Sequence, residues 1–365
     1  MNHRVTMKDL ARQLGLSTGT IHRALSGKAG VGKEVRQKVI EAAEREGYQL
    51  NSIASVLKRK PLRIVVSFPD LSQETRYYYS DIWEGYRNYR KELNDYQIEF
   101  IEAPYGIREN QQADVLRNTY QNIVQGNGID GLLTVGPMDE VTRRVVQDYC
   151  AEEIATVFVN EDNEKCNRIC CVRANYKIAG RLMAEQISNL VPPDGSVLLI
   201  AGDRNISAHN LQVEGFFEYI KEHTVPLDVI RMHKYDQVEE EETELHNTIT
   251  QSQDIVAICC VNARESALVA KFIKKHNLAG KYRIIGSDVF DESANALAAG
   301  IFTNLIYKSA YQIGYFGTKI LTDYLIKDQQ PDSTECLLDC DMVFRSNLYL
   351  YNDNLYRNTI HKFDR

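Results

Sequence analysis

The chain has 365 residues, of which 44% are hydrophobic and 25% charged, and its formal net charge is −7 at pH 7. This length predicts two or three domains, and no apolar run approaches the roughly 18 residues that cross a bilayer, so we expect no membrane association. The first residues lack the apolar core of a signal peptide, which predicts a cytoplasmic protein.

The charge is unevenly distributed along the chain. Residues 1–60 contain 12 Lys and Arg against 5 Asp and Glu, a net charge of +7, whereas the remaining 305 residues carry a net charge of −14. A small basic region on a large acidic body indicates that only the basic region contacts a polyanion. On charge alone, a solvated charged surface is the alternative.

The basic region has the pattern of three short helices. Thr6 can cap the first helix and Ser17 the second, and Gly15 lies between them. Apolar residues at helical spacing define one face of each segment: Leu10, Ala11 and Leu14; Ile21, Ala24 and Leu25; Val35, Val39, Ala42 and Ala43. Two helices joined by a tight turn and braced by a third predict a helix-turn-helix unit.

The segment "GKAGVGKE", residues 27–34, approaches the pattern of a nucleotide-binding phosphate loop. That loop requires a strand before it and a Ser or Thr after the lysine. Here Glu34 follows Lys33, and the preceding segment is predicted to be helical. We therefore interpret these residues as a connection between two helices rather than as an ATP site.

From Leu62 onward, short apolar runs alternate with helical segments. Seven runs predict strands: "LRIVVSF", "YQIEFIEA", "IDGLLTVG", "IATVFVN", "SVLLIAG", "DIVAICCVN" and "YRIIGSD". This alternation is typical of an α/β fold with parallel sheets, and the length suffices for two lobes. No glycine-rich dinucleotide fingerprint and no short internal repeat is present. The run "EEEET", residues 239–243, is predicted to be a solvated turn or the start of a helix.

The eight cysteines include no Cys-x-x-Cys pair, and two adjacent pairs, "ICCV" and "AICCVN", lie within apolar runs. Cysteine in such runs acts as a small buried hydrophobic residue. We expect free thiols and no cofactor, with a metal site as a weaker alternative because ligand spacing is absent.

Residues 5–60 resemble the headpiece of LacI/GalR-type transcription regulators. Segments of the body follow that family's order: "FPDLSQ", "IDGLLTVGP", "VEGF", "VNARESAL", "IIGSD" and "DMVFRSNL". The resemblance implies an α/β protein in which a small all-α headpiece precedes a two-lobed, type I periplasmic-binding-protein-like domain with parallel sheets. Its implied divisions are a headpiece (1–48), a hinge helix (49–61), a ligand-binding and dimerisation domain (62–350) and a tail (351–365).

The resemblance also implies which headpiece residues contact DNA. The residues that would read base edges start the second helix: Thr18, Gly19, His22 and Arg23. The residues that would hold phosphates or enter the minor groove are Thr6, Ser17, Thr20, Asn51, Leu57 and Lys58. Capping by Thr6 and Ser17, a surface role for Thr20 and core packing of Leu57 are the alternatives. Two positions depart from the family pattern, His22 and Leu50.

For the body, the resemblance implies a carbohydrate pocket between the lobes. Asp288 falls where relatives bind sugar hydroxyls, and Asn262 and Asn160 fall on or near other pocket positions. Carboxylates and amides suit sugars because each can bond to neighbouring hydroxyls. An aromatic run at the predicted cleft mouth either stacks on a sugar ring or packs within the protein: Tyr77, Tyr78 and Tyr79.

Three positions depart from the family's pocket. Gln212 replaces an Arg, Ala174 replaces an Asp and is preceded by Arg173, and Lys308 replaces a Gln. One positive charge is lost and another gained. An acidic sugar and a neutral sugar therefore both remain open as ligands.

These features predict a sequence-specific transcriptional repressor that binds a palindromic double-stranded operator as a homodimer and responds to a small carbohydrate. Lobe closure by the ligand would alter the hinge helices and thereby the affinity for DNA. One alternative is a solute-binding protein of a transporter, which would carry a signal peptide and no basic headpiece. The other, an enzyme on a related scaffold, lacks a paired nucleophile and base in this sequence.

Overall fold

A computed structural model describes residues 7–25, 30–46, 61–72, 74–106, 110–124, 128–192, 195–233, 238–252 and 254–352. At the start of the chain lie three helices: α1 (Met7–Leu14), α2 (Thr18–Leu25) and α3 (Lys33–Arg45). The predicted apolar faces meet in one buried cluster: Leu10, Ala11, Ile21, Ala24, Val39, Ala42 and Ala43. The predicted three-helix unit is confirmed.

Local signals set the ends of these helices. Gly15 has φ of +63°, a left-handed conformation that lets the chain turn between α1 and α2. The Ser17 hydroxyl accepts a hydrogen bond from the backbone N–H of Thr20 at 3.1 Å, which confirms Ser17 as the cap of α2. Helix α2, rather than a strand, precedes the segment "GKAGVGKE", and α3 begins within it at Lys33, as expected for a connection between two helices.

The first lobe is built on a six-stranded sheet in the order β11-β5-β4-β3-β1-β2, in which every pair is parallel. Its strands are β1 (Leu62–Ser67), β2 (Ile98–Glu102), β3 (Gly131–Val135), β4 (Ala155–Val159), β5 (Cys170–Ala174) and β11 (Glu335–Leu338). The intervening helices are α4 (Arg76–Glu92), α5 (Gln111–Val124) and α6 (Glu140–Ala151).

The second lobe has a similar six-stranded sheet in the order β12-β10-β9-β8-β6-β7, in which every pair except β12 and β10 is parallel. Its strands are β6 (Ser196–Ile200), β7 (Asp228–Met232), β8 (Ile255–Cys260), β9 (Arg283–Ser287), β10 (Asn304–Tyr307) and β12 (Asp341–Val343). Its helices are α7 (Tyr176–Leu190), α8 (Ser207–Glu222), α9 (Val238–Gln251), α10 (Ala263–Lys275) and α11 (Asp291–Ala298).

The chain passes between the lobes three times. Helix α7 follows β5 of the first sheet but packs on α8 of the second lobe, and α12 (Ala310–Lys327) follows β10 but packs on α4. The third passage runs directly from β11 to β12. Because parallel strands direct their carboxyl ends to one edge of a sheet, residues that follow the strands of both lobes come together in the cleft between them.

The fold differs from the sequence-based prediction in three details. Strand β12 pairs antiparallel with β10, because the chain enters the second sheet from the cleft and so runs opposite to its other strands. The acidic run lies at the start of α9, which was one of the two predicted alternatives, but within it Glu241 is fully buried rather than solvated. The first two residues of the predicted tail belong to a short helix, α13 (Tyr349–Asn352). Residues 353–365 lie outside the described residues.

All eight cysteines are free, as the sequence predicted. Most are buried among apolar residues, and burial raises the pKa of the Cys340 thiol to about 12. Within the described ranges, no helix has both the length and the apolar content to cross a membrane.

Candidate DNA-binding surface and ligand cleft

The start of α2 presents a polar surface. Ser17, Thr18, Gly19 and Arg23 are exposed and Thr20 is half-buried, whereas the opposite face of the helix packs in the three-helix core. The Arg23 Nε donates to the Gly19 carbonyl at 3.2 Å, so the guanidinium lies along the helix. An added Cβ at Gly19 would approach Arg23 Nη2 and Ser17 Oγ no closer than 3.8 Å. Packing alone therefore does not require glycine there.

The side chains of the other predicted DNA contacts fall outside the part of the chain that the structure describes. Thr6, Asn51, Leu57 and Lys58 lie outside the described residues. His22 belongs to α2, and its side chain is likewise outside the description.

A buried ion pair occupies the floor of the cleft in the second lobe. Asp288 follows β9 with φ of +63°, and Lys308 follows β10. The Lys308 Nζ lies 3.1 Å from Asp288 Oδ2 and donates to the Val261 carbonyl at 3.0 Å, and both charged side chains are only 5% exposed. Burial raises the pKa of Asp288, and the Lys308 ammonium opposes that shift. The positive charge of Lys308 is thus already matched by a carboxylate.

Asn262 has a structural role at the next strand end. Its Oδ1 accepts from the backbone N–H of Glu265 at 3.0 Å and so caps α10. Its Nδ2 lies 3.3 Å from His209 Nε2, and His209 Nδ1 accepts from the backbone N–H of Asp203 at 3.0 Å. In a neutral imidazole Nε2 then carries the proton, so Asn262 and His209 direct two N–H groups toward each other.

Three tyrosines and Asn160 form a hydrogen-bonded cluster. The Tyr176 hydroxyl donates to Asn160 Oδ1 at 2.5 Å, and Asn160 Nδ2 donates to the Tyr79 hydroxyl at 3.4 Å. The hydroxyls of Tyr78 and Tyr176 are 3.5 Å apart, and Lys308 Nζ lies 5.6 Å from the centre of the Tyr78 ring. Burial raises the pKa of each of these phenols, which therefore remain neutral donors.

Glu161 joins the two lobes directly. It follows Asn160 after β4 in the first lobe, and its side chain reaches the start of α8 in the second. One carboxylate oxygen accepts from the hydroxyl of Ser207 at 2.5 Å and from its N–H at 3.2 Å, and the other accepts from the Ala208 N–H at 3.0 Å. A carboxylate at a helix N-terminus also interacts favourably with the helix dipole. Glu161 is 2% exposed, and burial raises its pKa.

Arg264 forms a second connection between the lobes. This residue of α10 bonds to Glu74 of the first lobe through Nε at 2.5 Å. Its Nη1 lies 2.6 Å from Glu241 and 3.3 Å from Glu265, two fully buried carboxylates of the second lobe. One guanidinium thus balances buried negative charge within the second lobe and also holds the first.

At the mouth of the cleft, Tyr77 contacts the second lobe. The centre of its ring lies 4.6 Å from that of the Phe290 ring. The Arg76 guanidinium lies over the Tyr77 ring, 4.2 Å from its centre. Arg76 also pairs with Glu292 at 2.6 Å. Tyr77 therefore packs between the lobes, which is the alternative that the sequence left open for this position.

In the described part of the chain, Arg173 and Gln212 form no hydrogen bond with the other predicted pocket residues. Arg173 on β5 pairs with Glu335 on the neighbouring strand β11 rather than with another predicted pocket residue. Gln212 lies buried on α8, and neither its amide oxygen nor its amide nitrogen has a hydrogen-bond partner in the described part of the chain. A buried amide of this kind requires a partner, because leaving it unbonded costs about 1–3 kcal/mol.

The sequence did not predict Glu161 or Arg264 as site residues. Glu161 had a local signal, since it directly follows a buried strand and the predicted Asn160. Arg264 had none, because its partners Glu74 and Glu241 are distant in the sequence.

Both parts of the chain match known families. Residues 6–51 match the family described as bacterial regulatory proteins, lacI family, and residues 64–329 match the family described as periplasmic binding protein domain. A catabolite control protein A from Priestia megaterium is 23% identical over 338 residues, covering 89% of this chain and 93% of the relative. A ribose operon repressor from Lactococcus lactis is 24% identical over 331 residues, covering 88% and 93%. With the catabolite control protein A of Staphylococcus epidermidis, 25% identity extends over 61% of this chain and only 64% of the relative.

Solved structures share the fold of the body. A glucose-galactose binding protein from Geobacillus stearothermophilus gives a TM-score of 0.68 at 18% identity, covering 80% of this chain and 99% of that one. A Bacteroides fragilis protein assigned to the LacI transcriptional regulators gives a TM-score of 0.68 at 16% identity, covering 80% and 100%. These likenesses confirm the predicted two-lobed, periplasmic-binding-protein-like fold.

Proposed function

From the premise that this chain belongs to the LacI family of bacterial regulatory proteins, we propose that it is a DNA-binding transcriptional repressor controlled by a small ligand bound between its lobes. The observation that carries the proposal is the presence in one chain of a helix-turn-helix unit and of a two-lobed body whose cleft is lined by polar side chains. We propose no catalytic role.

The DNA surface is the start of α2. Helix-turn-helix proteins read base edges with the first residues of their second helix. In this chain those residues are exposed, and Arg23 can exchange its bond to the Gly19 carbonyl for a bidentate contact with guanine. For the hinge we propose the contacts of Asn51, Leu57 and Lys58 that the family resemblance implies. Two copies of the chain would read the two halves of a palindromic operator.

The ligand class that we propose is a neutral carbohydrate. Two proteins similar to this chain are named for sugars, the ribose operon repressor and the glucose-galactose binding protein. Asp288 offers an acceptor for hydroxyls, and Asn262 offers an amide at the end of the neighbouring strand β8. The pairing of Lys308 with Asp288 disfavours a carboxylate ligand, because Lys308 has no excess charge to offer.

Deletion of the headpiece tests the proposal. A chain that lacks residues 1–60 is expected to lose specific DNA binding in a mobility-shift assay and to keep its melting-temperature increase with the sugar that stabilises the full chain. Operator binding by the truncated chain would contradict the assignment of DNA recognition to the headpiece. If the full chain binds sugars but binds no DNA fragment selected from random sequence, the alternative of a solute-binding protein is favoured instead.

A further inference from the structure

An open cavity lies on the surface of the second lobe, and the described residues that line it all belong to that lobe. It has a volume of about 410 Å³ and is lined by Arg204, Asn210, Val213, Arg231 and His233. Arg204 belongs to the loop between β6 and α8, and Arg231 and His233 lie at the end of edge strand β7. None of these residues belongs to the cluster around Asp288 and Lys308.

The cavity is positively charged and contains no carboxylate among its lining residues. In the described ranges, neither Arg204 nor Arg231 forms an ion pair, although many other arginines of this acidic protein do. The pKa of His233 is lowered by burial and then by the nearby charge of Arg204. Its Nδ1 is buried without a hydrogen-bond partner in the described residues.

The lining residues are also held in position. The Arg231 guanidinium lies over the Phe217 ring, 3.8 Å from its centroid. Asn210 donates to the Arg204 carbonyl at 2.8 Å, which ties the loop to α8. The contact with Phe217 lowers the conformational entropy that the Arg231 side chain would lose on binding a ligand, and the Asn210 bond fixes the backbone that carries Arg204.

We propose that this cavity is a binding site for a phosphorylated small molecule, distinct from the cleft. An arginine guanidinium binds two phosphate oxygens at once, and two such groups suit a doubly charged phosphate monoester. The volume exceeds that of inorganic phosphate and lies within the range of small-molecule sites, so the remainder accommodates the body of the ligand beside Asn210 and Val213.

The test uses the full chain and inorganic phosphate as the probe, measured by titration calorimetry at constant ionic strength. Saturable binding is expected in the wild type. Arg204→Gln and Arg231→Gln are each expected to weaken it at least tenfold, with an unchanged melting temperature in the absence of phosphate, since both side chains are exposed. The matched control is Arg117→Gln, which removes the same charge from an exposed, ion-paired arginine of the first lobe and is expected to change the affinity less than twofold.

Several outcomes would overturn the proposal. Phosphate binding that survives in the double variant Arg204→Gln/Arg231→Gln would assign it to another basic surface, such as the headpiece. An equal loss in the Arg117→Gln control would show a general effect of net charge. Saturable binding of citrate without binding of phosphate would identify a carboxylate site instead. Because a chain that lacks residues 1–60 retains the cavity, its phosphate binding separates this proposal from the proposed DNA function.

Discussion

Asp288 is the residue on which the ligand proposal most depends. It is 3% exposed, it adopts a left-handed backbone conformation, and its charge is balanced by Lys308 at 3.1 Å. A buried carboxylate in this state is held ready to accept hydroxyl hydrogen bonds, and each such charge-assisted bond contributes about 1.5–3 kcal/mol.

We expect Asp288→Asn to weaken sugar binding about tenfold or more, which corresponds to ~1.4 kcal/mol per decade. Because burial raises the pKa of Asp288, the wild-type affinity is expected to fall as the pH decreases through that pKa, since protonation removes the acceptor. The affinity of Asp288→Asn should depend less on pH. Calorimetric titrations at successively lower pH measure both effects, and a variant with wild-type affinity would remove Asp288 from the site.

Lys308→Gln distinguishes the two ligand classes. In a site for neutral sugars, the substitution leaves Asp288 without its counter-charge, so the affinities for a neutral sugar and for its matched sugar acid should fall to a similar extent. A steep loss confined to the acid would favour an acidic sugar, contrary to our proposal. The double variant Asp288→Asn/Lys308→Gln, which buries no unpaired charge, controls for misfolding.

Arg23 should determine specificity rather than overall affinity. Arg23→Ala is expected to reduce discrimination at one operator position by ~1–3 kcal/mol and to leave the other positions unchanged. Arg12→Ala on α1 removes the same charge from an exposed arginine outside the recognition helix and should weaken binding to all operator variants equally. Competition assays with single-base substitutions compare the two, and identical profiles would argue against base reading by Arg23.

At the scale of elements, each lobe contains one pair of helices that pack unusually close together. In the second lobe, a Cβ added at Gly180 of α7 would lie 1.8 Å from the Gln212 carbonyl oxygen, and one at Gly215 of α8 would lie 2.1 Å from that of Lys177. In the first lobe, Gly85 of α4 and Gly314 of α12 have the same relation. The internal repeat that the sequence does not show is therefore present in the topology and in these contacts.

Gly180→Ala is expected to destabilise the body by about 1–3 kcal/mol, because the new methyl group collides with backbone that cannot withdraw without separating the helices. Asn189→Ala, at an exposed position of the same helix, is the control and should change the free energy of unfolding by less than about 0.5 kcal/mol. Urea denaturation of both variants measures the difference. Equal stabilities would mean that α7 and α8 can separate at little cost.

The sequence predicted most elements because their signals are local. Helical spacing identified the three-helix core, and continuous apolar runs identified strands such as β3, β4 and β8, which are covered on both faces. Five strands were not predicted: β5, β7, β10, β11 and β12. Of these, β7, β11 and β12 lie at sheet edges and are short or carry polar residues, whereas β5 and β10 are internal but β5 carries Arg173 and β10 has only four residues. Contacts in the cleft were harder to predict, because Glu161 and Arg264 acquire their partners only when the lobes come together.

At the scale of the whole molecule, Glu161 connects the two lobes, and we propose that it couples ligand binding to their closure. Its carboxylate bonds to Ser207 and Ala208 across the cleft, so these hydrogen bonds exist only while the lobes are together. A ligand that closes the lobes gains the free energy of these bonds in addition to its own contacts. By linkage, any change in closure that affects DNA affinity must also affect ligand affinity.

We therefore expect Glu161→Ala to lower sugar affinity about tenfold, because loss of a charge-assisted hydrogen bond costs about 1.5–3 kcal/mol in the closed state. Ser207→Ala should have a smaller effect, since the backbone N–H donors to Glu161 remain.

If the two residues act through the same contact, the Glu161→Ala/Ser207→Ala double variant will lose less affinity than the sum of the single losses. Glu164→Ala, in the same loop but exposed, is the control for net charge. Additive losses in the double-mutant cycle would show that Glu161 acts independently of Ser207, and a wild-type response to ligand in Glu161→Ala would show that closure does not require this contact.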